Sequence, residues 1–294
     1  MNTRSELRKF EKTISTISAI SRVFQNVTAK KMKVNREEVG HTEKYLSEAQ
    51  KTYSAAKLAA VGKKKPDAAA VILKSSFRKP QKEKVLLLLA SEKEYFGSLI
   101  EGVIGKFLEE YKKGGVKGIV LGKAGREIIQ RANVNAANLT FYDLTDDNPD
   151  FKLVSQIAKE LTSYKQILTY FGEYESVFRQ DAKAEDLSNL NFEVTFVEKA
   201  PGYIFAPPGY ANLSFLEDQI IAGRFVQKLY VSGLAKYGYR VKILQVGEVA
   251  RRLSEAMDQL ARARRKVNKN IKNSKQNQLF GSMRAWGQEE LVNI

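Results

Sequence analysis

The sequence predicts an α/β protein of uncommon layout: a small, mostly parallel α/β domain set between the two helices of a long antiparallel coiled coil. Three observations carry this expectation. No proline precedes Pro66 and none follows Pro208, which leaves a long uninterrupted stretch at each end. From Tyr239 on, one stripe steps in alternating fours and threes through Ile243, Val246, Ala250, Leu253, Met257, Leu260, Arg264, Val267 and Ile271, a heptad seam with a single charged break at Arg264. Between the two ends, short apolar runs alternate with helical patterns, as βα units do. The expected divisions are a coiled-coil helix over 1–65, a central α/β domain over 80–200 and a second coiled-coil helix over 209–294.

In the first helix the apolar stripe reads Leu7, Phe10, Ile14, Ile17, Ile20, Phe24 and Val27. Its steps are threes and fours, with one extra three near Ile17 that overwinds a coil locally. Gly62-Lys-Lys-Lys-Pro66 is a charged break, Asp67 to Ser76 suits a short helix, and Arg78-Lys-Pro80 interrupts the chain again. Val85 to Ala90 is a continuous apolar run, which a central strand covered on both faces requires. Gly97 to Lys113 reads as a helix closed by Gly114-Gly115. Gly118 to Leu121 follows as a strand, Lys123 to Ala132 as a helix and Leu139 to Leu144 as a strand. Asp146-Asp-Asn-Pro149 then opens a helix over Asp150 to Tyr164. Ile167 to Phe171 is expected as a strand, Tyr174 to Arg179 as a helix, and Phe192 to Val197 as an edge strand. This alternation gives a Rossmann-like, mostly parallel sheet.

The last helix is expected from Asn212 to about Leu291. A seam of period 3.5 keeps one face toward one partner and implies a left-handed supercoil. Roughly eighty helical residues at 1.5 Å each would reach roughly 120 Å, wider than an ordinary domain, so a projecting shaft is expected. The first helix is its partner, running antiparallel. The alternative is two unrelated amphipathic helices, each on its own core, which the length of the last helix fits badly.

Composition narrows the function. With 294 residues and 43% hydrophobic content, the chain can bury a sizeable core. It has no apolar run long enough to span a membrane, and charges interrupt its first residues where a signal core would lie. There is no cysteine, so neither disulfides nor thiolate metal sites are available, and the cytoplasm is the simplest location. The net charge of +16 attracts nucleic acid, anionic membranes or acidic protein surfaces. Between Arg251 and Lys275, nine basic residues face only Glu255 and Asp258. This sleeve is either a solvated helix face or a shaft inside an acidic or polar bearing.

Candidate catalytic groups are few. Gly118-Ile-Val-Leu-Gly122-Lys123-Ala124 is one residue too short between glycines for a phosphate loop, and Ala124 stands where a magnesium-binding hydroxyl belongs. It also lacks dinucleotide-turn spacing, and a strand running tightly into a helix explains it. His41, the single histidine, sits among polar residues and reads as a surface residue with no assignable nucleophile or metal partner. No catalytic, metal or cofactor site is expected, and an enzyme with coiled-coil arms is disfavoured on that ground. A basic coiled-coil nucleic-acid-binding protein is the rival from another class, although no aromatic platform or binding module accompanies the charge.

Four local strings then converge on one family. Ile14 and the run Ile20-Ser21-Arg22-Val23-Phe24, with Val27, Lys31 and Met32, are similar to a family stretch reading roughly I-T-K-A-M-x-M-V-A-x-x-K-M. Ser91-Glu-Lys-Glu-Tyr-Phe96-Gly97-Ser98-Leu99 is similar to S-D-x-G-L-C-G-G-L-N, with Phe96 at the cysteine. Tyr203-Ile-Phe205-Ala-Pro207 is similar to Y-x-F/Y-E-P. Asn268-Lys269 and Lys275-Gln276-Asn277-Gln278-Leu279 are similar to Y-N-K/R-x-R-Q-x-x-I-T-x-E-I. In this order they span nearly the whole chain, which resembles the gamma subunit of F-type rotary ATPases, the central stalk of ATP synthase.

The resemblance implies a non-catalytic rotary shaft without a cofactor. Its partners would be the alpha and beta subunits of a hexameric nucleotide-binding ring, an epsilon-like subunit, and a membrane rotor ring or its replacement, with no direct nucleic-acid contact. It would couple nucleotide turnover to rotation and to proton translocation or another load, in a complex peripheral to the inner face of the cell membrane. The implied ring contacts are Arg22, Phe24 and Lys31 on the first helix and Lys269, Lys272, Lys275, Gln276 and Gln278 on the last. Tyr203 and Phe205 would face the base. The sequence also departs from the family pattern. The arginine and glutamine gripped by the ring fall on Ile271 and Lys272, the threonine falls on Gln276, and Phe24 replaces a methionine. One extra heptad precedes Asn268. The resemblance therefore implies a divergent synthase or a gamma-like paralogue with another role, such as motility.

Overall fold

The computed structural model describes residues 4–61, 76–92, 97–146, 149–190 and 211–292. The chain divides into two compact units, Met1–Lys242 and Ile243–Ile294. The elements in order are α1 (Arg4–Val61), β1 (Lys82–Leu89), α2 (Gly97–Tyr111), β2 (Lys117–Leu121), α3 (Lys123–Arg131), β3 (Leu139–Tyr142), α4 (Phe151–Leu161), β4 (Tyr164–Tyr174), β5 (Gln180–Asp186) and α5 (Ala211–Val292). The expected short helix beyond Asp67 and the expected strand Phe192–Val197 lie outside the described residues, apart from Ser76.

In the first unit the strands form one sheet in the order β3-β2-β1-β4-β5. The first four are parallel, with Leu86 opposite both Gly118 and Leu168, and β5 pairs antiparallel with β4. Strand β1 is central and buried from Val85 to Leu89, as its unbroken apolar run requires. Its side chains alternate between two cores. Val85, Leu87 and Leu89 join Ile157 and Leu161 of α4 and Ile221 and Phe225 of α5. Leu86, Leu88 and Ala90 join Ile100, Val103, Ile104 and Phe107 of α2 and Ile129 of α3. The long helix α5 thus takes the place of a covering helix on one face of the sheet.

One expected element is overturned. Tyr174 to Arg179 is a tight turn, in which Arg179 N donates to Ser176 O, and not a helix. It joins β4 to β5 as a hairpin. Strand β5, Gln-Asp-Ala-Lys-Ala-Glu-Asp, carries charge at an exposed sheet edge, where charge deters further pairing. Lys183 Nζ reaches Glu173 across the hairpin at 2.6 Å. The pair is stabilised between strands, and a local reading along the chain misses it.

Helix α1 packs antiparallel on the first part of α5. Tyr53 donates to Glu217, a Cβ on Gly223 would lie 2.9 Å from Leu46 Cδ2, and one on Gly233 would lie 3.0 Å from Asn35 Oδ1. Farther along, Lys31 Nζ stands 5.7 Å from the centre of the Tyr237 ring, and the Arg240 guanidinium 5.1 Å from that of Phe24. One row of buried or half-buried positions on α1 runs Ser21, Gln25, Thr28, Met32, Asn35, Val39, Thr42, Leu46, Ala49, Tyr53, Ala56 and Ala60. Their steps alternate fours and threes, a heptad pattern displaced by one position from the expected apolar stripe. Ile20, Phe24 and Val27 are accordingly 50%, 45% and 46% exposed. The buried face contains hydroxyls and amides because these bond back along their own helix. Thr28 Oγ1 donates to Phe24 O at 2.7 Å, Asn35 Nδ2 to Lys31 O at 3.1 Å and Thr42 Oγ1 to Glu38 O at 3.0 Å.

The second unit is the remainder of α5. Its described side chains are exposed almost throughout, including Val246, Leu260, Val267, Ile271, Leu279 and Phe280. The side chains of Ala250, Leu253 and Met257, like those of Leu7, Phe10, Ile14 and Ile17, lie outside the described ones.

Candidate functional site

In open parallel sheets, ligands enter the crevice beyond the carboxyl ends of the strands where the strand order reverses. Here that point lies between β1 and β4, and α5 fills it. Seven consecutive residues, Ser232 to Gly238, are buried, so the helix is enclosed on every side for nearly two turns. Lys236 Nζ donates to Ala90 O at the end of β1 and to Asp146 Oδ1, both at 2.6 Å. Asp146 Oδ2 in turn accepts from Glu92 N at 2.8 Å. A Cβ on Gly172 of β4 would lie 3.3 Å from Ala235 Cβ, and Tyr239 shares a 2.6 Å hydrogen bond with Ser98. The adjoining glycine turn is also closed. At Gly122, φ 98°, a Cβ would lie 2.4 Å from Ser91 O, which accepts from Ala124 N. The chain's own backbone occupies the position a phosphate would need.

A second polar anchor sits near the other end of the α1–α5 contact. Glu217 is fully buried. It accepts from Tyr53 Oη, from Ser76 Oγ at 2.9 Å, and from Phe77 N and Arg78 N at 2.9 Å. Burial, reinforced by the bond to Glu217, pushes the Tyr53 hydroxyl well above the usual phenol range. Burial lowers Lys57, whose ammonium lies over the Tyr53 ring, while Glu217 opposes that shift. Arg78 bonds Asp218 at 2.9 Å and caps Thr162 O and Tyr164 O. Burial raises Asp218 against this pairing. The arrangement ties α1, residues 76–78, α5 and the α4–β4 turn to one carboxylate pair. It holds elements in place and presents no nucleophile paired with a base.

The residues singled out from sequence separate into groups. Phe24 and Lys31, seven apart on α1, both make cation–π contacts with α5 within the first unit. Arg22 is exposed, and at about 100° per residue it projects from the side opposite Phe24. On the second unit Lys269, Lys272, Lys275, Gln276 and Gln278 are all exposed. Lys269, Lys272 and Gln276 share one face, Lys275 flanks it, and Gln278 lies about 180° from Lys269. Tyr203 and Phe205 lie outside the described residues. His41 is exposed on α1 with Glu38 at 3.9 Å.

Sequence reading missed Lys236, Asp146, Glu217 and Tyr53. A lysine inside the otherwise uncharged run Ser232 to Gly238 was the available signal for the first. Among the described residues no helix is long and apolar enough to cross a membrane, and no cluster of histidine and acidic side chains is placed to hold a metal ion.

A search of curated proteins finds no match. Among solved structures, the fold is similar to a chain of the central stalk/c-ring of Tetrahymena thermophila mitochondrial ATP synthase. The TM-score is 0.51 and the identity 16%, covering 78% of this chain and 99% of that one. Chains from Euglena gracilis mitochondrial ATP synthase also match. One, from the rotor in rotational state 1, has 12% identity and TM-score 0.42, covering 86% of this chain and 99% of that one. The other, from OSCP/F1/c-ring in rotational state 3, has 10% identity and TM-score 0.43, covering 87% and 95%. The ATP synthase family model matches residues 3–267. Covering the first helix, the sheet and the last helix as far as residue 267, that match establishes that the chain belongs to the gamma-subunit family of ATP synthase.

Proposed function

We propose that the chain is the rotary shaft of an F-type ATPase. As a non-catalytic subunit it stands in a hexameric ring of alpha and beta subunits. It couples nucleotide turnover there to rotation and to proton translocation or another mechanical load. Family membership supports this reading, and one observation carries it. Helix α5 is buried from Ser232 to Gly238 against α1 and the sheet, with Lys236 bonded to Ala90 O at the end of β1 and to Asp146. A rotor must pass torque between a helix and a foot without slip, and such a clamp does so.

The coupling follows from differential binding. The shaft binds each ring conformation with a different free energy, so nucleotide binding and release move the minimum around the axis. Arg22, Phe24 and Lys31, with Lys269, Lys272, Lys275, Gln276 and Gln278, are the proposed ring contacts. Tyr203 and Phe205 are proposed to face the base, toward the membrane rotor or its replacement, and an epsilon-like subunit is a further proposed partner. The complex would be peripheral on the inner face of the cell membrane. A left-handed antiparallel coiled coil of the terminal helices belongs to the same proposal. The departures at Phe24, Ile271, Lys272 and Gln276 fit either a divergent synthase or a second reading, a gamma-like paralogue whose load is another machine such as a motility apparatus.

Purification of the native complex through a tag on this chain tests both readings. Alpha- and beta-type ring subunits are expected in stoichiometric yield, and their ATPase rate should depend on the presence of this chain. Recovery of the chain without ring subunits would overturn the proposal. The identity of the membrane component distinguishes a synthase from a different motor.

A further inference from the structure

We infer that the cavity enclosed by α1, α5 and the carboxyl edge of the sheet binds a single-chain amphiphile with an anionic head group. The cavity lies wholly within the first unit and measures about 700 Å³. That is within the usual range for small-molecule sites, about 300–1,000 Å³. Its floor is Leu89 and Leu121 at the strand ends, its wall Val226 and Leu229 of α5, and its lip Val27 and Val34 of α1. Val27 and Val34 are about half exposed and stand off the α1–α5 seam. Both present apolar surface at the mouth of the cavity.

One polar feature selects the head group: Lys30 and Lys31 stand side by side on the same lip. Lys236, the other lysine of the lining, is already committed to Ala90 O and Asp146. A nucleotide does not fit this chemistry. The glycine turn is filled by Ser91, and the lining is mostly aliphatic and aromatic. A hydrocarbon tail inside with a carboxylate or phosphate at the lysine lip does. The inference is independent of the rotary reading.

Calorimetry on the purified full chain tests it, with decanoate, dodecanoate, dodecyl phosphate, dodecyltrimethylammonium and ATP as probes below their micellar concentrations. One dodecanoate per chain is expected. Two added methylenes should tighten binding about tenfold from decanoate to dodecanoate. The carboxylate and phosphate arms show which anionic head is preferred. The change Lys30→Glu, at an exposed position of the lip, should weaken dodecanoate at least about threefold and strengthen the cationic probe. Val226→Phe narrows the cavity from its wall and should weaken binding at least about tenfold; a circular-dichroism melt shows whether it has folded, and the lip variant decides the question if it has not. Non-saturating uptake, equal binding of both head-group charges, or affinities unchanged by the lip variant would mean adsorption to exposed apolar surface and would overturn the proposal. Saturable ATP binding displaced by dodecanoate would also overturn it, in favour of a nucleotide site.

Discussion

At the scale of single residues, the ion pair between Lys236 and Asp146 decides whether the sheet holds the long helix. Both side chains are nearly buried, and each satisfies a backbone group as well as its partner. A buried pair of this kind adds little stability over a well-packed apolar pair. Removing one partner strands the other charge and costs about 3–5 kcal/mol. Lys236→Met alone is therefore expected to lower the stability of the first unit by about 3 kcal/mol, read from the urea midpoint. Adding Asp146→Asn should restore a measurable part of that loss, since the stranded charge is gone while Glu92 N keeps an acceptor. A single variant within about 0.5 kcal/mol of the parent would show that the pair does not anchor α5. The sequence offered no route to this partnership. The two residues are ninety positions apart, and the chain topology alone brings the β3–α4 connection under α5.

At the scale of elements, close approach of α1 and α5 depends on small residues. A Cβ at Gly223 would meet Leu46 Cδ2 and Tyr45 Cε1, each at 2.9 Å, whereas one at Gly247 would meet nothing within 4 Å. Gly223→Val should force the helices apart or the side chains off their rotamers, at about 1–3 kcal/mol. Gly247→Ala, in open space on the same helix, should instead stabilise it by about 1 kcal/mol through helix propensity. Thermal unfolding of the two variants, side by side, checks the opposite signs. The same contact shows what could be read from sequence. Strand β1 was legible because a central parallel strand must be apolar throughout. The α1 register was not, because its buried face uses Ser21, Gln25, Thr28, Asn35 and Thr42, of which the last three look like surface until their bonds to the helix's own carbonyls are seen. An apolar count finds Ile20, Phe24 and Val27 instead, one position away and half exposed. Strand β5 was missed for the converse reason, since an exposed edge strand has no apolar alternation to betray it.

At the scale of the whole molecule, the open question is whether the basic surface of the second unit is a bearing or a solvated face. Lys269, Lys272 and Lys275 are exposed, and exposed ion pairs are usually worth about 0–1 kcal/mol each. Three such contacts, remade at each angular position of a threefold ring, would sum to a few RT. That is too little to govern assembly and enough to tilt the rotor between dwell positions. Replacing all three with alanine should therefore leave the complex assembled and slow its nucleotide turnover, or loosen the coupling of turnover to load. Because solvent-accessible charges are screened beyond about 8–10 Å at physiological ionic strength, added salt should reproduce part of the effect in the parent. The measurement is ATPase rate and rotation under load, parent against triple variant, over a salt series. A variant that matches the parent throughout would make these lysines a solvated face. The exposed apolar residues Leu279 and Phe280 would then be the next surface to substitute, since burying them against the ring gives a salt-independent contribution that the lysines do not.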